Sequence, residues 1–232
     1  MSDRTPELVS DDWLSRELGR PSLRMAGIFS PEARAVIASL PPGTFAYTKI
    51  PCVNVDDAHQ FESVGFRIVD TNLTFECDCL TTVPGRPMRR AMPEDCDAIM
   101  RLAGESFRFS RFHLDPRIGS ATAAAIKAAW VRNYFTGCRG TRLYVADIGD
   151  EVAGFLLAID RERQTVIDLI AVSPRHQRQG IAAALIATLA AESTASTTLV
   201  AGTQVANVPS VRMYESLGFR LASSAYVLHY HA

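Results

Sequence analysis

Residues Ile167 to Glu192 read I-D-L-I-A-V-S-P-R-H-Q-R-Q-G-I-A-A-A-L-I-A-T-L-A-A-E. The run opens as a strand, because Val166, Ile167, Leu169, Ile170, Ala171 and Val172 are apolar and partly β-branched. Pro174 ends it, and Arg175 to Gln179 form a polar loop. Gly180 then opens a helix on which Ile181, Leu185 and Leu189 recur at helical spacing. A strand, a glycine-bearing polar loop and a helix, in that order, make an anion-binding arrangement. The free N–H groups of the first helical turn, with the positive end of the helix dipole, can hold phosphate oxygens. Gly180 and Ala182 keep the backbone approachable, and Arg175 and Arg178 add positive charge.

The segment Gln177-Arg178-Gln179-Gly180-Ile181-Ala182, following Val-Ser-Pro, resembles the Q/R-x-x-G-x-G/A loop of the GNAT superfamily of N-acetyltransferases. The resemblance implies an α/β (α+β) GNAT fold: a mixed, mostly antiparallel twisted sheet flanked by helices. It implies acetyl-CoA as cosubstrate, its pyrophosphate bound by the 177–182 loop. It also implies that the strand before the loop splays from its neighbour, so that backbone groups of Ile170 and Val172, with Ala171 between them, bond the pantetheine arm. Asn207, seven residues before Tyr214 and followed by Gly218-Phe219, is similar to a signature in which tyrosine protonates the coenzyme A sulfur and asparagine touches pantetheine. A phenol near pKa 10 is matched to an alkyl thiolate and stays protonated at neutral pH. The acceptor amine must also lose a proton. Asp168, on the cofactor strand and on one face with Ile170 and Val172 by strand alternation, could take it through a water. A solvated strand carboxylate is the other reading, and His113 and Asp115 are alternative bases.

Composition narrows the rest. The chain has 232 residues, with 24 Lys+Arg against 25 Asp+Glu. That near-neutral balance argues for no general nucleic-acid or membrane surface. The polar, acidic opening is unlike a signal peptide, and no apolar run approaches membrane-spanning length. The five cysteines, Cys52, Cys77, Cys79, Cys96 and Cys138, are odd in number and scattered. They read as reduced thiols of a cytoplasmic protein without a metal site. A homodimer is left open.

Two units are expected, 1–85 and 86–232, joined at Val83-Pro84-Gly85-Arg86-Pro87. In the first, helices are expected around Trp13, from Ser30 as N-cap with Pro31 at N1, and from Asp56 or Asp57 to Ser63. Arg67 to Cys79 reads as a strand or hairpin. Phe61-Glu62-Ser63-Val64-Gly65-Phe66-Arg67 echoes Tyr214-Glu215-Ser216-Leu217-Gly218-Phe219-Arg220. This favours a degenerate half-copy of the GNAT fold at the N-terminus, lacking the phosphate loop and carrying Phe61 where the second copy has Tyr214. Ala121 to Phe135 is expected to be helical, 143–148 and 151–159 to form a hairpin, and Arg220 to His231 to be the final strand.

Within the superfamily the chain is most similar to the bacterial dTDP-fucosamine acetyltransferases. The likeness rests on Phe61 to Phe66, Ser110-Arg111-Phe112-His113, Trp130-Val131-Arg132-Asn133, Thr203-Gln204 and Ser224-Ala225-Tyr226-Val227-Leu228. It implies a nucleotide-linked 4-amino-4,6-dideoxy sugar as acceptor. Arg111 suits the diphosphate, with Phe112, His113 and Tyr226 lining the sugar site and the aromatic rings covering its apolar face. The loop Q-R-Q-G-I-A and Asp168 depart from that group. A GNAT acting on a protein N-terminus, a lysine or a polyamine is the competing enzyme. A non-catalytic acetyl-CoA-binding module is the competing reading of another class, against which Asn207 and Tyr214 stand.

Overall fold

The computed structural model describes residues 7–78, 80, 88–193 and 198–232. The linker Val83–Pro87 and Cys79 lie outside them. The first half of the chain gives β1 (Glu7–Ser10), α1 (Asp12–Leu18), β2 (Ser22–Ala26), α2 (Pro31–Ala38), β3 (Phe45–Pro51), α3 (Val55–Ser63) and β4 (Arg67–Cys77). The second gives β5 (Arg89–Arg90), α4 (Cys96–Ser106), α5 (Arg111–Leu114), α6 (Ser120–Phe135), β6 (Arg142–Ile148) and β7 (Glu151–Asp160). It continues with β8 (Gln164–Val172), α7 (Ile181–Ala191), β9 (Thr198–Gln204), α8 (Val208–Ser216) and β10 (Arg220–His231).

All ten strands form one sheet, ordered β1-β2-β3-β10-β4-β9-β8-β7-β6-β5. The boundary near residue 85 therefore divides the chain but not the sheet. β4 leaves the first half to pair with β9 of the second, and β10 leaves the second to pair with β3 of the first. Exchanging β1 with β7, β2 with β8, β3 with β9 and β4 with β10 maps the eight-strand order onto itself in reverse.

Strand alternation sorts the core into two layers. One face of the sheet carries α7 and α8, packed through Leu185, Leu189, Tyr214 and Phe219, and beside them the smaller cluster of Ile37, Phe61 and Phe66 from α2 and α3. The other face carries α4 and α6 over Leu143, Phe155 and Leu169, and α1 and α5 over Phe45. Trp13 of α1 meets Trp130 of α6 edge to face, with ring centroids 5.5 Å apart.

Local signals in the sequence are realised closely. Ser30 Oγ accepts the Ala33 N–H at 3.2 Å, with Pro31 at N1 of α2. The N-cap of α3 is Asn54, not the expected Asp56 or Asp57, and its side chain makes no cap bond. Arg67–Cys77 is a single strand. α5 was not anticipated in the aromatic 107–116 stretch. No helix among the described residues is long and apolar enough to cross a membrane.

Candidate active site

The site begins where two parallel strands part. β8 and β9 pair from Gln164↔Thr198 to Ile167↔Ala201 and no further, although both strands continue. Beyond that point β8 is held only by β7, and β9 only by β4. Ile170, Ala171 and Val172 therefore present one unpaired backbone edge to a slot between β8 and β9. At the end of β8, the Gln177 side chain donates to the Val172 carbonyl at 3.4 Å, and the Ser173 N–H donates to the Ala153 carbonyl at 2.8 Å.

The loop after β8 is exposed from Gln177 to Gly180. Arg178 (φ 61°) and Gly180 (φ 77°) are both left-handed, with Gln179 between them. Gly180 is the N-cap of α7 and supplies no side-chain cap, so the N–H groups of Ile181 and Ala182 have neither an intrahelical acceptor nor a capping side chain. A Cβ built on Gly180 would point into open space, with no atom within 4 Å. The residues fit a phosphate-bearing ligand: free amides, a helix terminus and room in front of it.

α8 carries Tyr214. Its side chain is 2% exposed, stacked on Phe75 of β4 (5.8 Å between centroids) and against Phe219 (5.2 Å). Burial raises its pKa above the ordinary phenol value, so the hydroxyl keeps its proton at all working pH. No described protein group accepts from it. Asn207 caps α8, its Oδ1 accepting the Ser210 N–H at 3.4 Å, which leaves its amide N–H₂ unused.

Asp168 is placed differently from the alternation argument. Leu157 faces Leu169 and Ala158 faces Ile167, which leaves Asp168 as the extra residue of a β-bulge. The bulge reverses the pattern: Ile170 and Val172 pack toward α7, while Asp168 turns to α6. There it accepts from Trp130 Nε1 at 2.8 Å and takes two bonds from Arg139, each 2.6 Å, and its side chain is 8% exposed. A carboxylate so committed is a poor proton acceptor and a good anchor for α6.

On that same face, α5 and α6 cover β3, β10 and β4. Arg111 lies with its Cζ 3.9 Å from the Tyr47 ring centroid and 4.3 Å from that of Phe112. Burial lowers its pKa to about 10, so it remains charged. Ser110 Oγ and His113 Nδ1 are 2.7 Å apart, and burial, with Lys127 nearby, lowers the His113 pKa, so that its imidazole is neutral at pH 7. Phe112 is only 1% exposed and belongs to the core with Leu14 and Phe45, so it cannot cover a sugar. Tyr226 is on the wrong side of β10. It packs with Leu228 and Tyr230 against the α2–α3 layer, whereas His229 and His231 face Arg111 and Phe45. Arg111 thus lies against the buried ring of Phe112, His113 bonds Ser110, and Tyr226 stands on the other face of the sheet.

Several residues here went unread in the sequence. Lys127 is buried, with Nζ 4.5 Å from the Trp130 ring centroid and 4.8 Å from that of Phe107, and burial lowers its pKa to about 8. Lys49, open to solvent, donates to Asn72 at 3.3 Å and also has a lowered pKa, from burial of its surroundings and then Arg111. Asp70 beside it is buried, with Oδ1 unpartnered, and burial raises its pKa to about 6. Lys49 and Lys127 are the two lysines of the chain against 22 arginines, and both sit around Arg111. That contrast was a readable signal.

Asp115, His229 and His231 present ligand-type atoms within 4.8 Å of one another. Both imidazoles already donate to the carboxylate and accept from Arg111 and Arg20 on their far side. A cation there would have to displace those protons beside two guanidiniums.

A splayed parallel pair with an uncapped glycine-led helix after it can receive a phosphate-bearing ligand. Residues 98–219, more than half of the chain, match the Acetyltransferase (GNAT) family, and the chain belongs to that family. Its members use acetyl-CoA. The chain is 37% identical over 139 residues to the spore coat polysaccharide biosynthesis protein SpsD of Bacillus subtilis (strain 168). That match takes in 59% of this chain and 48% of SpsD, so it spans about half the length of that relative. Among solved structures, a GCN5-related N-acetyltransferase of Sphaerobacter thermophilus superposes with TM-score 0.59 at 13% identity, covering 97% of this chain and 75% of that one. A GNAT-family protein of Novosphingobium aromaticivorans DSM 12444 gives 0.58 at 17%, covering 91% and 87%. A tandem GNAT protein from the clavulanic acid biosynthesis pathway gives 0.58 at 13%, covering 91% and 75%. These likenesses carry the fold.

Proposed function

We propose that this acetyltransferase acetylates the amine of a nucleotide-linked amino sugar, a dTDP-4-amino-4,6-dideoxyhexose being the first candidate. The observation that carries the reading is the group of cationic side chains on the face of the sheet opposite α7: Arg111, Lys49 and Lys127. None of the three pairs with a carboxylate among the described residues. A nucleotide sugar brings the diphosphate such a group lacks. A cationic peptide or polyamine would meet charge of its own sign. The likeness to a protein named for polysaccharide biosynthesis points the same way.

When bound, acetyl-CoA supplies an activated acyl group and a thiolate leaving group. The amides of 180–182, with Gln177, Arg178 and Gln179 around them, hold its pyrophosphate. The free edge of Ile170 to Val172 and the amide of Asn207 take the pantetheine arm. Tyr214 gives its proton to the departing sulfur, and burial keeps that proton in place until it is needed. For the base, the engagement of Asp168 with Arg139 and Trp130 favours His113, whose neutral imidazole has Nδ1 tied to Ser110 and Nε2 left to accept. Arg111 orients the acceptor through its phosphates.

The test is thiol release on mixing acetyl-CoA with a panel of amines: the dTDP-4-amino sugar, a lysine peptide and spermidine. The sugar is expected to react with the highest kcat/KM. A higher kcat/KM for peptide or polyamine would overturn the acceptor assignment.

A further inference from the structure

Arg111 is held in an unusual way. A guanidinium has five N–H groups; Nη1 donates one of them to His229 Nε2 at 3.1 Å, and the Tyr47 hydroxyl, itself bonded to Asp11, also acts on the charge. The guanidinium plane is fixed by the rings of Tyr47 and Phe112. Behind His229 stands Asp115, whose Oδ2 accepts from His229 Nδ1 at 2.6 Å and from His231 Nε2 at 2.8 Å. Its Oδ1 accepts the Arg117 N–H at 2.8 Å. On the far side Arg20 donates to His231 Nδ1 at 3.0 Å. The side chains of Asp115, His229 and His231 are 3%, 1% and 4% exposed.

The proton positions follow. A carboxylate only accepts, so each imidazole carries its proton on the nitrogen facing Asp115 and offers a lone pair to its arginine. Both rings are thereby neutral in this arrangement. Burial lowers the His229 pKa to about 4, against the upward pull of its bond to Asp115. For Asp115 burial acts upward, but the bonds from the two histidines and the Arg117 amide outweigh it and hold the carboxyl well below the usual range.

We infer that Asp115 and His229 are positioning residues for Arg111, an imidazole spacer that fixes the guanidinium without neutralising it. Were Asp115 paired to Arg111 directly, it would take two N–H groups and cancel the charge. The neutral ring takes one N–H and leaves the guanidinium its charge, with no carboxylate paired to it among the described residues. The ligand class is an oxyanion with paired oxygens, a diphosphate above all. This rests on the reading of the Arg111 face of the sheet as the acceptor side.

Asparagine and glutamine separate the two jobs of His229. The amide of His229→Asn reaches the place of Nδ1 and keeps the bond to Asp115, while His229→Gln reaches the place of Nε2 and offers its oxygen to Arg111. The probe is inorganic diphosphate, titrated by calorimetry with coenzyme A saturating so that the α7 terminus is filled. Diphosphate should bind the wild type, bind His229→Gln within about threefold of it, and bind His229→Asn and Arg111→Ala about tenfold or more weakly, one charge-assisted hydrogen bond being worth that much. His229→Asn should stay folded with a single cooperative transition, at a lower Tm for the volume its shorter side chain leaves. Equal binding by the wild type and a folded His229→Asn overturns the relay, and so does a wild type that binds no diphosphate. A wrong acceptor would show otherwise: no thiol release with the amino sugar, while diphosphate binding and its dependence on residue 229 persist.

Discussion

The two halves of this molecule run the same course with opposite outcomes. Each has a parallel strand pair that separates partway: β2 and β3 after Arg24↔Tyr47, β8 and β9 after Ile167↔Ala201. Each then has a helix led by asparagine and closed by Gly-Phe. Asn54 and Asn207 have nearly the same backbone angles. The Phe66 N–H returns to the Phe61 carbonyl at 3.1 Å, as the Phe219 N–H does to that of Tyr214 at 3.0 Å. The difference lies at two places. The first half closes its helix terminus with Ser30 and Pro31, where the second leaves Gly180 bare. The first fills its opening with Phe29, Phe61 and Phe66, where the second has a phenol. The backbone alone is not the site. Under the proposed function, a bare helix terminus and one hydroxyl are what separate a binding half from a packed one.

The strongest way to break this comparison is to make the second half like the first. Tyr214→Phe should keep the fold and acetyl-CoA affinity and lower kcat by about 10²–10⁴, because the proton is needed only in the transition state. Single-turnover transfer within about threefold of wild type would remove tyrosine from the mechanism. The reverse change, Phe61→Tyr, adds a hydroxyl where the ring is 0% exposed, and should cost about 1–3 kcal/mol in chemical denaturation for the unpartnered group. It should create no second binding event: calorimetry should give one acetyl-CoA per chain in both proteins, and two would refute the closure of the first half. Gly180→Val, at φ 77° with open space before it, should weaken acetyl-CoA binding at least about tenfold, or ~1.4 kcal/mol, and unchanged affinity would refute the placement of the pyrophosphate.

The exchanged strands differ in charge as well. Asp70 of β4 answers to Ser223 of β10, each nine residues after its helix-end Phe61 or Tyr214. Its folded pKa, about 6, lies above the ordinary 3.8, so the folded state binds the proton more tightly and loses stability as pH rises from about 4 through 6. Asp70→Asn should therefore raise stability by about 1 kcal/mol at pH 7.5, discounted for solvent reaching the other oxygen, and by little at pH 4.5. A variant no more stable than wild type at pH 7.5 would show the carboxylate to be paid for by Lys49. The smallest effect belongs to Ser30→Ala, about 1 kcal/mol of stability from a lost cap, with acetyl-CoA affinity unchanged.

What could be read in advance divides by range. The glycine-led loop before α7, the cap at Ser30 and the Phe61 echo are local patterns, carried by a few consecutive residues. The Asp168 bulge reversed an alternation that holds only for regular pairing. Phe112 and Tyr226 are assigned by the family resemblance and their aromatic chemistry, and their burial depends on which helix or strand lies across from them. The meeting of Arg111 with His229, from elements 106 residues apart at their nearest ends (Leu114 and Arg220), is set by where β10 inserts, which no local pattern encodes.

That insertion also sets a timetable. Thr48 and Leu228 are sheet neighbours, and bringing such distant residues together costs about 4–5 kcal/mol of loop-closure entropy before any pairing rewards it. Contacts of this range slow folding. During synthesis at ~5–20 residues per second, the 142 residues between the end of β4 and the start of β10 take roughly 7–30 s to add. Through that interval β3 and β4 each wait with an unpaired edge. The nascent chain therefore passes through a long-lived state whose central seam is open, and its yield in a cell should depend more on protection of that seam by chaperones than on the stability of the finished protein.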